Sequence, residues 1–404
     1  MTISIINGHI LRSGASDAEM GSVHIEGGHI SETALSSAGQ TINAQGMLVA
    51  PGIIDLGVFA TDKPAFRFGG ITRAALMPDQ SPVHDDPATI RFAALKGKPD
   101  FWVHPLAAAT QALNGQHMAE IALMKEAGAL GVATGRHWIG DSGVMLRIMQ
   151  YCAALDLPVF VHSEDRGITG DAVATSGPTA TLLGLPAAPA MAEAAAIARD
   201  LLLTEYSGAR VHFRQVTTAI GLDLIRRAKQ DGLRVTCGIT PAHLFLSDNA
   251  VSDFRTFARL SPPLRSEEDR QACLAAIADG TIDVIASGHN PRGPEDKRLP
   301  FSEAAPGMAG AETLLALTLN LVRDGHIDIG HLFRLVSANP AQILGLNAGS
   351  IEAGKEADLI LVDVDAPWQV DSAKMAAVAG NTPFDKLPVQ GLVRKMMKGG
   401  KVID

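Results

Sequence analysis

Two hydrophobic patterns alternate through the middle of the chain. Eight short apolar runs, VAPGIIDL, ITRAALMP, DFWVHP, LGVATG, PVFVH, ARVHFRQ, LRVTCG and DVIASG, read as buried strands. Between most of them the apolar residues recur at helical spacing, as in HMAEIALMKEAG, AEAAAIARDLLLTEY, GLDLIRRAKQDG and EEDRQACLAAIADG. Eight buried strands with intervening helices is the α/β pattern of a (β/α)8 TIM barrel. An open doubly wound sheet is the alternative, but no GxGxxG follows the first strand to favour a dinucleotide site.

The two ends differ from the middle. ISIING, HILRSG and SVHIEGGHI alternate with Gly and Ser punctuation, and GSIEAGKEADLILVDVDAPWQV and LVRKMMKGGKVID are again strand-like. We therefore expect a small composite β-sandwich domain from residues 1–50 and 351–404, around a barrel at 51–350. Between the first strand, ending near Leu56, and the second, starting near Ile71, about a dozen residues remain, fewer than a full crossover helix needs. The first barrel helix is expected to be reduced or missing, leaving apolar barrel surface for something else to cover.

Composition narrows the function. Of 404 residues, 47% are hydrophobic and 19% charged, which excludes a disordered or fibrous chain. A net charge of −9 and only 4% aromatics argue against nucleic acid or an anionic membrane as partner. Cys152, Cys237 and Cys273 lie far apart, form no CxxC pair, and read as buried apolar residues in a reducing compartment. No basic segment leads into an apolar run at the start, and no stretch of about 20 uncharged apolar residues occurs. The expectation is a cytoplasmic protein.

An α/β barrel carries its active site at the C-terminal ends of its strands. Those ends read Asp55-Leu56-Gly57-Val58-Phe59, then His104-Pro105, then Thr134-Gly135 with Asp141 beyond. They continue with His162-Ser163-Glu164-Asp165, Arg214-Gln215 and Gly288-His289-Asn290. Here the chain resembles the dihydroorotases of the amidohydrolase superfamily. APGIIDL, GGITRAALMPDQSPVHD, VFVHSED, VHFRQVTT, VTCGITPAHLFLS, SPPLRSEEDR, IDVIASGHNP, GMAGAET and NTPF follow the family blocks in family order over nearly the whole length.

The resemblance implies the fold but not the chemistry. Where the family has an HxH pair after strand one, this chain has Gly57 and Phe59. Its metal-binding His after strand six is Gln215, and the Asp before His at strand eight is Gly288. His162 matches at strand five, and Asp141 is the candidate match for the bridging carboxylate. A catalytic zinc needs about three protein ligands and an open water position, and lowers the pKa of that water to about 7. One His and one Asp do not supply that set. The substrate side departs as well: Lys63 and Arg67 stand out of register with the family's Arg, and Asp79 and Ser261 replace two Asn.

The remaining polar residues near the strand ends offer other chemistry. His104, His162 and His289 near three strand ends offer a different three-imidazole metal site, with core histidines as the plainer reading. Glu164-Asp165 read as solvated loop charges or helix-start residues rather than an acid/base pair. Thr217-Thr218 read as a helix cap rather than an anion site. RGPEDKRLPF reads as a surface loop rather than a lid.

The leading expectation is thus a catalytically deficient dihydroorotase homologue, a pseudoenzyme with no cofactor. The resemblance implies that it serves as a structural and assembly partner of aspartate transcarbamoylase in pyrimidine biosynthesis, in a hetero-oligomer, with a homodimer also open. One rival is an active cyclic amidohydrolase on dihydroorotate or carbamoyl aspartate, with zinc in a rearranged or mononuclear site. Another is a sensor whose emptied cleft binds a pyrimidine precursor.

Overall fold

The computed structural model describes residues 2–32 and 39–403. Eight parallel strands build the barrel: Ile53–Val58, Ile71–Leu76, Trp102–Pro105, Val132–Ala133, Val159–Val161, Val211–Phe213, Val235–Ile239 and Val284–Ile285. Every residue of Ile71–Leu76 is buried, as expected of a strand covered on both faces. The third strand breaks at Leu106: Trp102–Pro105 pairs with the second strand, and Ala107–Ala108 continues onto the fourth. The ring closes without a ladder between strands eight and one. Phe59 N–H donates to the His289 carbonyl at 2.8 Å, and the fully buried Asp55 accepts from Ser287 N–H at 3.0 Å and from its hydroxyl.

The interior is filled by side chains in layers. Ile54, Leu56, Ala75, Leu106, Ala133, Phe160 and Val284 form one apolar cluster there. The outer helices pack by their inward stripes. Ala219–Gln230 buries Leu222, Ile225 and Ala228, is capped by Thr218, whose hydroxyl accepts from Gly221 N–H at 3.1 Å, and ends with Arg227 and Lys229 in its last turn.

The first barrel helix is present but reduced to Lys63–Gly69. Asp62 caps it, Pro64 opens it, and Gly70 in the left-handed conformation ends it after seven residues. Phe66 buries its ring against Phe101 and His289. Where the helix ends, Gly70 abuts Ile360 and Val393. The barrel surface left by the short helix is thus covered by two strands from the C-terminal part of the chain, Leu359–Gln369 and Pro388–Lys398.

Both ends of the chain enter one eight-stranded sheet, with Leu48–Pro51 joining the N-terminal strands to Leu359–Gln369. The expected β domain of both termini is present, built as one continuous sheet. It curls until its far ends meet: Gly28 touches Gly399, and the Gly28 carbonyl accepts from Ala357 N–H at 2.8 Å. The curl encloses Ile3, Ile5, Ile25, Leu359 and Met397.

Sheet and barrel are tied by charge. Arg73 of the second barrel strand donates to Asp358 at 2.8 Å and to Glu356; Lys398 donates to the same carboxylates at 3.0 and 2.7 Å. Trp102 lies beneath both cations, 4.6 Å from the Arg73 guanidinium and 3.8 Å from the Lys398 ammonium.

Candidate functional site

The barrel mouth opens into a cleft of about 400 Å³ lined by Phe59, Arg136, His162, Glu164, Arg166, Arg214, Arg259 and Ser261, among others. Beneath it lies a recess of about 30 Å³, where Phe59, Arg136, Arg214, Gln215 and Gly288 meet. Three of the four degenerate positions therefore converge on one point. The fourth, Gly57, lies under the aliphatic stem of Arg214: a Cβ there would stand 3.5 Å from the Arg214 Cδ. Gly57 has φ +114°, a conformation that side chains rarely adopt.

Two guanidiniums fill this point. Those of Arg136 and Arg214 lie 3.7 and 5.0 Å from the centre of the Phe59 ring. Arg214 is only 5% exposed and donates from Nη2 to His162 Nδ1 at 3.2 Å. A guanidinium has no acceptor, so Nδ1 carries the lone pair and the His162 proton sits on Nε2, facing Glu164 at 3.3 Å. Burial lowers Arg214 to about 10, short of deprotonation at neutral pH. Burial likewise lowers Arg136 to about 10, against the attraction of Asp79. Asp79 accepts from the Arg136 N–H at 2.9 Å, so it positions Arg136.

Glu164 is a correction to the sequence reading. It is not a solvated loop charge but a carboxylate packed into the cleft wall, accepting from Arg265 at 3.0 Å. Burial works to raise it, yet the hydrogen bond from His162 and the charge of Arg265 hold it at about 2. Arg265, itself 3% exposed, also reaches Glu193 at 3.4 Å and Thr217 at 2.9 Å. Asp165 does start a helix, accepting from Gly167 N–H at 2.8 Å. The Thr217-Thr218 turn takes its anion from within the protein: both backbone N–H groups and both hydroxyls donate to the fully buried Glu193.

The three-imidazole site does not form. His104 points into the lower barrel, where burial, then the charges of Arg73 and Lys398, lower it to about 3. His289 faces outward, its Nε2 3.5 Å from Asp62 and its ring edge-on to Phe66. Only His162 of the three lines the cleft. Side chains alternate across a strand, so residues one position apart at similar strand ends face opposite sides of the barrel wall. Asp141 also stands apart: it is exposed and caps the helix Ser142–Ala154 through Val144 N–H at 2.9 Å. Lys63 pairs with Asp100 at the surface, and Lys63 and Arg67 lie on the short helix outside the cleft.

RGPEDKRLPF is anchored rather than free. Lys297 is buried and donates to the carbonyls of Ala305, Thr256 and Arg259 at 2.7, 3.0 and 3.3 Å, which also holds Arg259 at the cleft wall. All three cysteines are buried, and burial pushes the Cys152 thiol up to about 12.

The donor set does not fit a catalytic zinc. Both His162 nitrogens are engaged, the amide oxygen of Gln215 is buried without a partner, and Phe59 offers a ring. Among the described residues no three His, Cys, Asp or Glu side chains are grouped to hold a metal ion. Arg136 and Arg214 would also repel one. Two unit charges about 4 Å apart near a protein surface interact by about 4 kcal/mol, and a dication doubles that.

Residues 70–403 match the Amidohydrolase family, and the chain belongs to it. Within that family it is a homologue of proteins named dihydroorotase. It is 36% identical to the dihydroorotase of Syntrophotalea carbinolica over 411 residues, covering 97% of this chain and 96% of that one. With the dihydroorotase of Ruminiclostridium cellulolyticum the identity is 35% over 423 residues, covering 99% and 98%. Among solved structures, the L-hydantoinase (dihydropyrimidinase) of Arthrobacter aurescens superposes with a TM-score of 0.87 at 25% identity, covering 99% of this chain and 95% of that one. The dihydropyrimidinase of Brevibacillus agri shares the fold, with a TM-score of 0.85 at 20% identity, covering 100% and 95%. No helix among the described residues is long and apolar enough to cross a membrane.

Proposed function

We propose that this chain is a dihydroorotase homologue without hydrolytic activity, serving pyrimidine biosynthesis as an assembly partner of aspartate transcarbamoylase. The observation that carries the loss of activity is the Arg214 guanidinium, lying over Phe59 and bonded to His162 where the family gathers metal ligands. Opening a cyclic amide at neutral pH requires an activated water and a group to polarise the carbonyl. Gly57, Phe59, Gln215 and Gly288 provide neither, and no carboxylate stands at position 288 to serve as general base. The partnership rests on the resemblance to inactive relatives that accompany aspartate transcarbamoylase. Phe92 and Leu95 on one outer helix, and Leu202 and Tyr206 on another, are each more than half exposed and offer apolar contacts to such a partner.

Two measurements test the reading. Purified without chelators and assayed with dihydroorotate and with carbamoyl aspartate, with and without added zinc, the chain should turn over neither and carry no zinc. Turnover or one tightly bound zinc per chain would favour an active enzyme. In cells, deleting the chain should lower transcarbamoylase assembly or activity; an unchanged transcarbamoylase of normal size would sink the partnership.

A further inference from the structure

Among the described residues, the cation that fills the mouth has no ion-pair partner in contact; Asp79 and Glu164 attract it only from further off. Arg214 is buried, and its one hydrogen bond goes to a neutral imidazole nitrogen, His162 Nδ1. Its Nε has no partner, and among the described residues no carboxylate lies within ion-pair distance of it. Arg259, on the same cleft, donates from Nη1 to the Leu260 carbonyl at 2.9 Å, and its Nε too is buried without a partner. Arg136 donates to Asn290 Oδ1 at 3.1 Å and stands 3.8 Å from Asp79. Arg166 adds a fourth guanidinium at the rim.

Against these four guanidiniums stand three carboxylates: Asp79 beside Arg136, and Glu164 and Asp171 in the cleft. Glu164 is committed to Arg265 and His162, and Asp171 is exposed. The inner wall therefore carries positive charge in excess, and a buried charge without a partner is costly unless something pairs with it.

We propose that the mouth is an oxyanion site: Arg214, with Arg136 and Arg259, binds the carboxylate or phosphate group of a small molecule that fits the cleft. The sign of the site is inverted. Where related folds gather acidic and imidazole ligands around a cation, this chain supplies the cations and takes the anion from solution. Guanidiniums suit that ligand because their planar N–H pairs match carboxylate and phosphate oxygens. The two guanidiniums over Phe59 are already oriented, so little side-chain entropy is lost on binding. Asp79, at a position the resemblance assigns to substrate contacts, plays no part: it is negative and faces Arg136.

The inference rests on the reading that no metal ion sits at the mouth. Calorimetric titration of the full chain with inorganic phosphate, succinate and, separately, zinc chloride tests both. At least one anion should bind saturably at one site and weaken with added salt. Arg214→Met should weaken that binding about tenfold or more, and Arg136→Gln, at a half-buried position, should weaken it several-fold. If phosphate binds and succinate does not, the ligand is a phosphate; the reverse identifies a carboxylate. Failure of both anions to bind below about 10 mM, or binding that survives both substitutions, overturns the oxyanion site alone. One zinc bound per chain overturns this inference and the non-catalytic reading together.

Discussion

Arg265 reaches Glu164 at 3.0 Å from a position 101 residues further along the chain, and holds that carboxylate in the cleft wall. The Glu164 carboxyl, held at about 2 in the folded state, lies below its ordinary value of 4.5, so the pair stabilises the fold fully above about pH 4.5. That contribution falls as pH drops through the folded value. Glu164→Gln should cost about 1–3 kcal/mol at pH 7. In urea unfolding the gap between the two proteins should narrow between pH 5 and pH 3. A gap independent of pH would mean that shape rather than charge is lost.

Restoring histidines at the first strand should not restore a metal centre. Gly57→His with Phe59→His recreates the family pair in sequence, but Gly57 has φ +114° and lies under the Arg214 stem. The backbone conformation alone should cost about 1–3 kcal/mol. Arg136 and Arg214 would remain to repel a dication. The double variant should melt lower than the parent and take up no zinc by elemental analysis. Stoichiometric zinc would show that the arginines yield to it.

The barrel was legible because its signals are local. Apolar runs and helical spacing mark the strands and helices, and the short interval between Leu56 and Ile71 leaves room only for the reduced helix Lys63–Gly69. The convergence of Phe59, Gln215 and Gly288 on one recess followed from reading strand ends in order. What the sequence concealed is whatever depends on which way a side chain points or on a distant partner. His104 and His289 sit near strand ends like His162 yet face the lower barrel and the outer layer. Glu164 looked like a loop charge because its partner, Arg265, is remote in sequence. Arg214 was visible beside Gln215, but nothing local shows that its charge takes over the mouth.

The junction of barrel and sheet should be cooperative. Arg73 and Lys398 share Asp358 and Glu356 over Trp102. Asp358→Asn leaves two buried cations with one carboxylate and should cost about 3–5 kcal/mol. Arg73→Met should cost less, because Lys398 still pairs with both acids. The double variant should be more stable than the sum of the single costs, since each removes the charge that the other leaves unpaired. Simple addition in a double-mutant cycle would show that the four charges act independently.

Asp55 gives the last test, at the seam where the ring closes. Its carboxylate accepts from the Ser287 N–H and hydroxyl, the side-chain link between strands one and eight. Burial raises its pKa above the usual carboxylate range, against the hydrogen bonds from Ser287 that lower it. A raised carboxyl favours the folded state while protonated, and its ionisation in the folded state opposes stability as pH climbs through the shifted value. Asn at this position can accept from the Ser287 N–H and donate to its hydroxyl without a charge to bury. Asp55→Asn should therefore be tolerated, and its stability relative to the parent should improve as pH rises from about 4 toward the raised folded pKa. Asp55→Ala should cost about 1–3 kcal/mol, because Ser287 N–H is left unpaired in the interior. Urea unfolding of both variants from pH 4 to 8 checks this. A loss for Asp55→Asn that equals the alanine variant and grows with pH would show that the seam requires the negative charge itself.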